Sequence, residues 1–130
     1  MPMFQRKPKP PSVDLPAGEE IERSVRATLL YGRQSMDGSL HMTNRRLMFE
    51  ARRGEARWMS VPYAEVASAG LYPWPGASMG LPSSRQQCLV VETTDGEQVW
   101  WDFGAKDERE WLPLVQAHVA RARETAGQDE

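Results

Sequence analysis

Apolar and polar residues alternate along most of this chain, and that two-residue period constrains the fold more than any other feature. The clearest example is DGSLHMTNRRLMFEA, residues 37–51, where Leu40 and Met42, then Leu47 and Phe49, alternate with polar side chains. Alternation of this kind is typical of a strand that buries one face and leaves the other in water. The chain is therefore expected to form antiparallel sheet over most of its length.

The same pattern predicts seven strands. Turn signals separate them, namely GRQSMDG (residues 32–38), the Thr43-Asn44 pair, RRGE around Gly54 and the hairpin dipeptide Asp95-Gly96. A long loop with three prolines, PWPGASMGLPSSR, occupies residues 73–85. The predicted strands cover residues 24–31, 39–43, 46–52, 57–61, 66–72, 88–93 and 98–103.

After the strands the period changes to that of a helix. Asp107 and Glu110 match a capping box, and Pro113 predicts a kink or a separate short turn near the start. Beyond Arg123 the sequence predicts fraying. One apolar stripe is expected to face the sheet, and it comprises Trp111, Leu114, Val115, His118, Val119 and Ala122.

Seven strands that each have one apolar face must cover that face. Curling the sheet and closing one end with the helix achieves this in a single small domain, with Trp111 as the stopper. The predicted fold class is mainly β with a C-terminal α-helix, a seven-stranded antiparallel barrel capped by one helix. The domain is expected to span residues 20–124, between a flexible, proline-rich basic tail (residues 1–19) and a frayed C-terminus (residues 125–130).

Composition limits the functional classes. The chain has 130 residues and a net charge of −2, which does not indicate a nucleic-acid binder. It has one cysteine and no apolar run near the roughly 20 residues that span a bilayer. Thirteen of its 16 basic residues are arginine, a bias typical of a GC-rich bacterial genome. A cytoplasmic protein is expected, with peripheral contact at the inner membrane face as an option.

The most basic segment lies around the predicted third and fourth strands. Residues 44–57 carry a net charge of +3 from five arginines and two glutamates. Arginine binds phosphates and carboxylates through paired hydrogen bonds, so this segment could hold an anionic headgroup or an acidic partner. The alternative is a solvated sheet face whose arginines pair locally. The candidate residues are Arg45, Arg46, Arg52, Arg53 and Arg57.

Two tryptophans are further contact candidates. Trp74 lies in the proline-rich loop, where it could contact a membrane or a protein, or fold back over the sheet. Trp100 precedes Trp101 on one strand, so the two side chains point to opposite faces. Trp101 is assigned to the core together with Val99 and Phe103, and Trp100 to the outer face. There Trp100 could contact a second copy of the chain or stack under an arginine.

No catalytic or metal-binding arrangement is recognisable. His41 and His118 are isolated from other metal ligands in the sequence, and Cys88 begins an apolar strand and is expected to be buried. Neither a nucleophile elbow nor a glycine-rich phosphate loop occurs. The sequence therefore predicts a non-enzymatic protein without a cofactor.

Three segments in order resemble the GRAM and bacterial PH-like families of the pleckstrin-homology (PH) superfold. They are GSLHMTNRRLMFEA (residues 38–51), SVPYAEVASAG (residues 60–70) and VVETTDGEQVWWDFGAKDEREWLPLV (residues 90–115). The resemblance extends over residues 20–123 and implies a PH-like barrel that acts as a non-catalytic lipid- or protein-binding adaptor. In phosphoinositide-binding PH domains a basic residue ends the first strand, and Arg33 matches that position. The basic pair of their second strand is replaced here by Ser39, Leu40 and His41.

Together these observations predict a binding module that engages an acidic protein partner or an anionic membrane surface. Two alternatives stay open, a homo-oligomeric assembly module and a carrier of a small molecule or lipid.

Overall fold

The computed structural model describes residues 15–31, 34–51, 58–73, 87–103 and 108–128. In these residues seven strands form one antiparallel sheet, and a helix follows them, so the predicted mainly-β class is confirmed. A 3₁₀ turn at Tyr63–Glu65 joins β4 to β5. The elements are β1 (Ile21–Tyr31), β2 (Gln34–Thr43), β3 (Arg46–Ala51), β4 (Trp58–Pro62), β5 (Val66–Pro73), β6 (Gln87–Thr93), β7 (Gln98–Asp102) and α1 (Glu108–Gln128).

The strand order is β4-β3-β2-β1-β7-β6-β5, so β1 is the central strand and β4 and β5 are the two edges. These edge strands are consecutive in the chain and only the 3₁₀ turn separates them. The sheet must therefore curl until its edges approach each other. Register shifts in β1, between Ile21 and Arg23, and in β5, between Val66 and Ser68, mark irregularities that increase local twist.

The core lies on the inner face of this curled sheet. Leu40, Leu47 and Trp101 are completely buried there, as the alternation predicts. Trp111 on α1 is 2% exposed and meets Phe103 edge to face, with 5.1 Å between the ring centroids. The prediction that Trp111 is buried by packing of the helix on the sheet is confirmed.

The helix differs from its predicted pattern at two points. Leu114 is 36% exposed, whereas Leu112 packs against the core, so assigning Leu114 to the buried stripe was wrong. The helix also runs unbroken through Pro113 and reaches Gln128. Pro113 is the sixth residue of α1, so it removes one backbone hydrogen bond but does not end the helix, and the separate short turn does not form. Within the described residues, no helix combines the length and apolar character needed to cross a bilayer.

Two polar side chains of α1 fasten the helix to the β5 edge. Arg123 donates through Nη2 to the carbonyl oxygens of Val66 and Ala67, at 3.3 and 2.5 Å. Gln116 donates through Nε2 to the carbonyl oxygen of Ala69, at 3.2 Å. Carbonyl oxygens of the edge strand β5 thus accept hydrogen bonds from the helix.

The turn predicted over residues 32–38 was wrong over most of that segment, because β2 begins at Gln34. Gly38 is a strand residue that pairs with Ala27 on β1 and Ala51 on β3. A Cβ atom at Gly38 would overlap the carbonyl oxygen of Glu50. Glycine at this position permits close approach of two strands, a use that a single sequence does not distinguish from a turn.

Candidate functional site

The β2–β3 turn holds the segment that precedes β1. Asn44 accepts a hydrogen bond from the Glu20 backbone N–H and donates to the carbonyl oxygen of Gly18, both at 2.9 Å. Arg45 donates through Nη2 to the carbonyl oxygen of Ala17, at 3.4 Å. Residues 17–20, which lie at the end of the predicted tail and the start of the domain, therefore lie over the turn.

Below this contact lies an ion pair between Glu19 and Arg46. The guanidinium donates from Nε and Nη2 to the two carboxylate oxygens, at 2.9 and 3.2 Å, and from Nη1 to the Ser60 hydroxyl at 3.1 Å. The Glu19 side chain is only 2% exposed. Burial alone would raise the pKa of Glu19, but hydrogen bonds from Arg46 and from the Thr43 hydroxyl, 2.7 Å away, outweigh it and lower that pKa.

On the other side of the turn, His118 of α1 links three elements. Its ring stacks on Tyr63 with centroids 4.6 Å apart and planes 6° apart. Nε2 lies 2.7 Å from a carboxylate oxygen of Glu22, and Nδ1 lies 3.2 Å from Nη2 of Arg121. A carboxylate only accepts and a guanidinium only donates, so Nε2 carries the proton and Nδ1 accepts from Arg121.

Tyr63 is buried beneath the His118 ring and supports it. Its hydroxyl donates to the carbonyl oxygen of Thr43 at 2.7 Å, and the side chain is 2% exposed. Burial is the main reason that the pKa of Tyr63 is raised, with the carboxylates of Glu22 and Glu19 adding to the effect. The phenol therefore stays neutral and serves as a fixed support for the histidine ring.

Between the turn, the 3₁₀ turn and the C-terminal half of α1 lies a cleft of about 550 Å³. Two of its residues are arginines, Arg45 from the turn and Arg121 from the helix, and no carboxylate is among the described residues that line it. We call it the basic cleft. Its lining residues are Asn44, Arg45, Pro62, Tyr63, Ala64, His118, Arg121, Ala122 and Thr125.

Two carboxylates near the cleft are already engaged. Glu19 is paired with Arg46, and Glu22 binds His118. Among the described residues, neither Arg45 nor Arg121 forms an ion pair with a carboxylate. The arrangement therefore offers two guanidinium groups to an anion from outside the chain, beside an apolar wall formed by proline, alanine and tyrosine carbons.

Of the five predicted hairpin arginines, two lie within the described residues, and the structure places these two differently. Arg45 lies in the basic cleft, whereas its neighbour Arg46 is turned to the sheet and paired with Glu19. Trp100 lies elsewhere. The remaining candidates, Arg33, Arg52, Arg53, Arg57 and Trp74, lie outside the described residues.

The sequence reading missed Arg121, and it assigned His118 only to the helical stripe. The available signal was their spacing, because residues three apart on a helix share a face. That signal does not show that Glu22 and Tyr63, distant in sequence, complete the arrangement.

Trp100 faces outwards, as predicted, and is half-buried. Its ring is tilted by 48° against that of Tyr72 on β5, with centroids 5.9 Å apart. Tyr72 is 51% exposed. The two side chains form a small aromatic pair on the outer face, separate from the basic cleft.

His41 lies on the outer face of β2 and is completely buried. Its Nδ1 is 2.7 Å from the Ser24 hydroxyl, and its Nε2 has no hydrogen-bond partner among the described residues. Burial lowers the pKa of His41, and the nearby charge of Glu50 only partly opposes the effect. A neutral, enclosed imidazole of this kind does not contribute to a surface site.

Comparison with known proteins was made for sequence and for fold. No family model matches the chain, and none of the curated proteins compared with it does. Several solved structures are similar in fold. The Vps36 N-terminal PH domain matches with a TM-score of 0.65 and 14% identity, covering 82% of this chain and 83% of that one.

Two further structures agree with this result. The C-terminal domain of an unknown protein from Leishmania infantum has a TM-score of 0.63 and 15% identity, covering 80% of this chain and 87% of that one. The hSac2 domain from the human phosphoinositide phosphatase Sac2 has a TM-score of 0.60 and 9% identity, covering 80% and 72%. At these identities the likeness shows the fold alone. The chain has a PH-like fold, with seven antiparallel strands in one sheet and a C-terminal helix.

Proposed function

We propose that this protein is a non-catalytic PH-like binding module, of the adaptor type, that engages an acidic protein partner or an anionic membrane surface. The observation that carries the proposal is the basic cleft, which both Arg45 and Arg121 line and whose described lining residues include no carboxylate. The GRAM-type resemblance and the PH-like neighbours support a binding role, because that fold is typically non-catalytic. On this proposal the protein is cytoplasmic, and its membrane branch acts peripherally at the inner face.

The test compares anionic probes with neutral ones. The full chain is titrated with fluorescent poly-glutamate and, separately, floated with anionic and neutral vesicles, each at low and high salt. We expect binding to at least one anionic probe, weakened by salt because exposed charges are screened over about 10 Å at 0.1 M. If the protein binds neither poly-glutamate nor either vesicle type at low salt, the proposal is refuted.

A matched pair of variants assigns the binding surface. Arg45→Glu reverses the charge on the cleft wall, and Arg109→Glu makes the same change at an exposed position on the first turn of α1. Arg109 and Arg121 are about 18 Å apart along the helix axis at 1.5 Å per residue. Loss of binding in the first variant alone is expected, and equal loss in both would show that only net charge matters.

One observation favours a second function, homo-oligomeric assembly. Tyr72 is exposed beside Trp100, and paired aromatic side chains are frequent contacts between protein subunits. The predicted contribution of Trp74 belongs to the same proposal. Light scattering at tens of micromolar tests it, and a monomer at that concentration would count against it.

The carrier alternative has less support. A carrier needs space inside the barrel, but inward side chains from β1, β2, β3 and β6 fill it, including Leu29, Leu40, Phe49 and Leu89, each at most 1% exposed.

A further inference from the structure

We infer that the basic cleft is a pre-organised site for a short acidic peptide segment, in which Arg45 and Arg121 hold one carboxylate and an adjoining aliphatic side chain lies against the apolar wall. This inference rests on the proposed binding function and narrows it to one ligand class. It also assigns a positioning role to Glu22 and His118.

The first step concerns Arg121, whose guanidinium is oriented by a hydrogen bond to His118. Glu22 accepts a hydrogen bond from His118 Nε2–H, and this fixes the tautomer in which Nδ1 accepts from Arg121. Stacking on Tyr63 fixes the plane of the same ring. The guanidinium keeps further N–H groups for a ligand, and its hydrogen bond to His118 already removes part of the side-chain freedom that binding would otherwise cost.

The second step concerns Arg45. One of its amino groups is held by the Ala17 carbonyl oxygen, and the backbone of the turn is fixed by Thr43, whose hydroxyl accepts from the N–H groups of Arg45 and Arg46, both at 3.0 Å. The two arginines thus approach the cleft from separate elements, the β2–β3 turn and α1, which Tyr63 links through its hydrogen bond to Thr43 and its stacking on His118. A carboxylate between them can accept charge-assisted hydrogen bonds from both.

The third step concerns size and lining. A cleft of about 550 Å³ lies within the roughly 300–1,000 Å³ range of ligand pockets, and it is larger than one carboxylate requires. Carbon atoms of Pro62, Ala64 and Ala122 form part of its wall. The ligand that fits therefore joins an anionic group to an aliphatic one, as an acidic peptide does.

The fourth step separates a peptide from a membrane. Peripheral membrane binding at a cleft is aided by exposed large apolar side chains beside it. Among the described residues the exposed large apolar side chains are Tyr72 and Leu114, and neither lines the basic cleft. The described lining of the basic cleft has positive charge and apolar carbon atoms but no such side chain, and this favours a peptide ligand over a membrane surface.

The experiment is a titration of the ¹⁵N-labelled full chain with a short synthetic peptide that alternates glutamate and leucine, followed by NMR. A peptide that alternates glutamine and leucine is the control ligand. Shift changes are expected at the amides of Asn44, Arg45 and Ala64 and in the second half of α1. Arg45→Gln and Arg121→Gln should each weaken binding about tenfold or more, because each removes a charged hydrogen-bond donor. Arg109→Gln, the same charge change far from the cleft, should leave binding unchanged.

The variant Glu22→Ala distinguishes a role of Glu22 in positioning Arg121 from a general effect of net charge on the binding of an acidic peptide. If only net charge mattered, removing this carboxylate would strengthen binding of an acidic peptide. If Glu22 positions Arg121 through His118, binding weakens although the protein has become more positive. The dispersion of the NMR spectrum shows for each variant that the fold is kept.

Each outcome decides between the two proposals. Binding with shifts elsewhere, unaffected by Arg45→Gln and Arg121→Gln, overturns the cleft inference and leaves the binding function standing. Flotation with anionic vesicles that depends on both arginines, without peptide binding, overturns the peptide assignment in favour of a lipid surface. Failure of the peptide, poly-glutamate and vesicles alike overturns both proposals.

Discussion

Replacing Glu19 by alanine should destabilise the domain far more than the loss of an ordinary ion pair. The Glu19 side chain is 2% exposed and its partner Arg46 is 18% exposed, and the substitution leaves the guanidinium without its carboxylate. Removing one member of a buried pair costs about 3–5 kcal/mol. Arg46 keeps some solvent contact and its bond to Ser60, so the low end applies, and we expect about 3 kcal/mol. For a domain of this size that corresponds to a fall of about 10 °C in Tm.

Urea unfolding followed by tryptophan fluorescence measures this loss, because Trp101 and Trp111 are buried in the folded state. Glu110→Ala is the matched control. It breaks the exposed pair of Glu110 (66% exposed) with Arg23 (45% exposed), 3.3 Å apart, and removes an acidic side chain from the first turn of α1, so it should cost no more than about 1 kcal/mol. Equal losses in the two variants, or a loss below about 1 kcal/mol for Glu19→Ala, would refute the reasoning from burial.

Three other predictions follow from the described contacts. Gly38→Ala should cost about 3 kcal/mol or prevent folding, because a Cβ would overlap the Glu50 carbonyl oxygen, whereas Gly96→Ala, at a φ of 91° with open space around it, should cost about 1 kcal/mol in the same urea assay. Cys88 is completely buried and its pKa is raised to about 12 by burial, so Ellman's reagent should react with it only after unfolding, and rapid reaction of the native protein would contradict this. The lowered pKa of Glu19 means that its stabilisation is present above its ordinary value of 4.5 and is lost as pH falls through the lower folded value, so urea midpoints should fall less steeply below pH 4.5 in Glu19→Ala than in the natural chain.

The fold could be predicted largely from periodicity. Leu40, Leu47 and Trp101 were assigned to the core because side chains alternate across a strand, and each is completely buried. The exceptions have physical reasons. Gly38 looked like a turn residue because sequence does not show how closely a neighbouring strand approaches, and Leu114 looked buried because the exact direction of the helix face depends on docking.

The site could be predicted only in part. Arg45 was named as a candidate and lines the basic cleft, but Arg46 beside it is paired with Glu19, 27 residues away in sequence. The cleft joins a turn, a 3₁₀ turn and a helix that are far apart along the chain. Its second arginine is positioned by a histidine whose partners are Tyr63 on the 3₁₀ turn and Glu22 on β1, and no local pattern encodes that arrangement.

The hydrogen bonds from α1 to β5 also affect whether a strand from another chain can add to the sheet. An open sheet edge is a template on which a foreign strand can add, and natural proteins often block such edges. Here Arg123 and Gln116 occupy carbonyl oxygens of Val66, Ala67 and Ala69 that an incoming strand would need. A second protein molecule could add a strand to β5 only if the helix first detached. The contacts that hold α1 on the sheet therefore also oppose aggregation through the β5 edge.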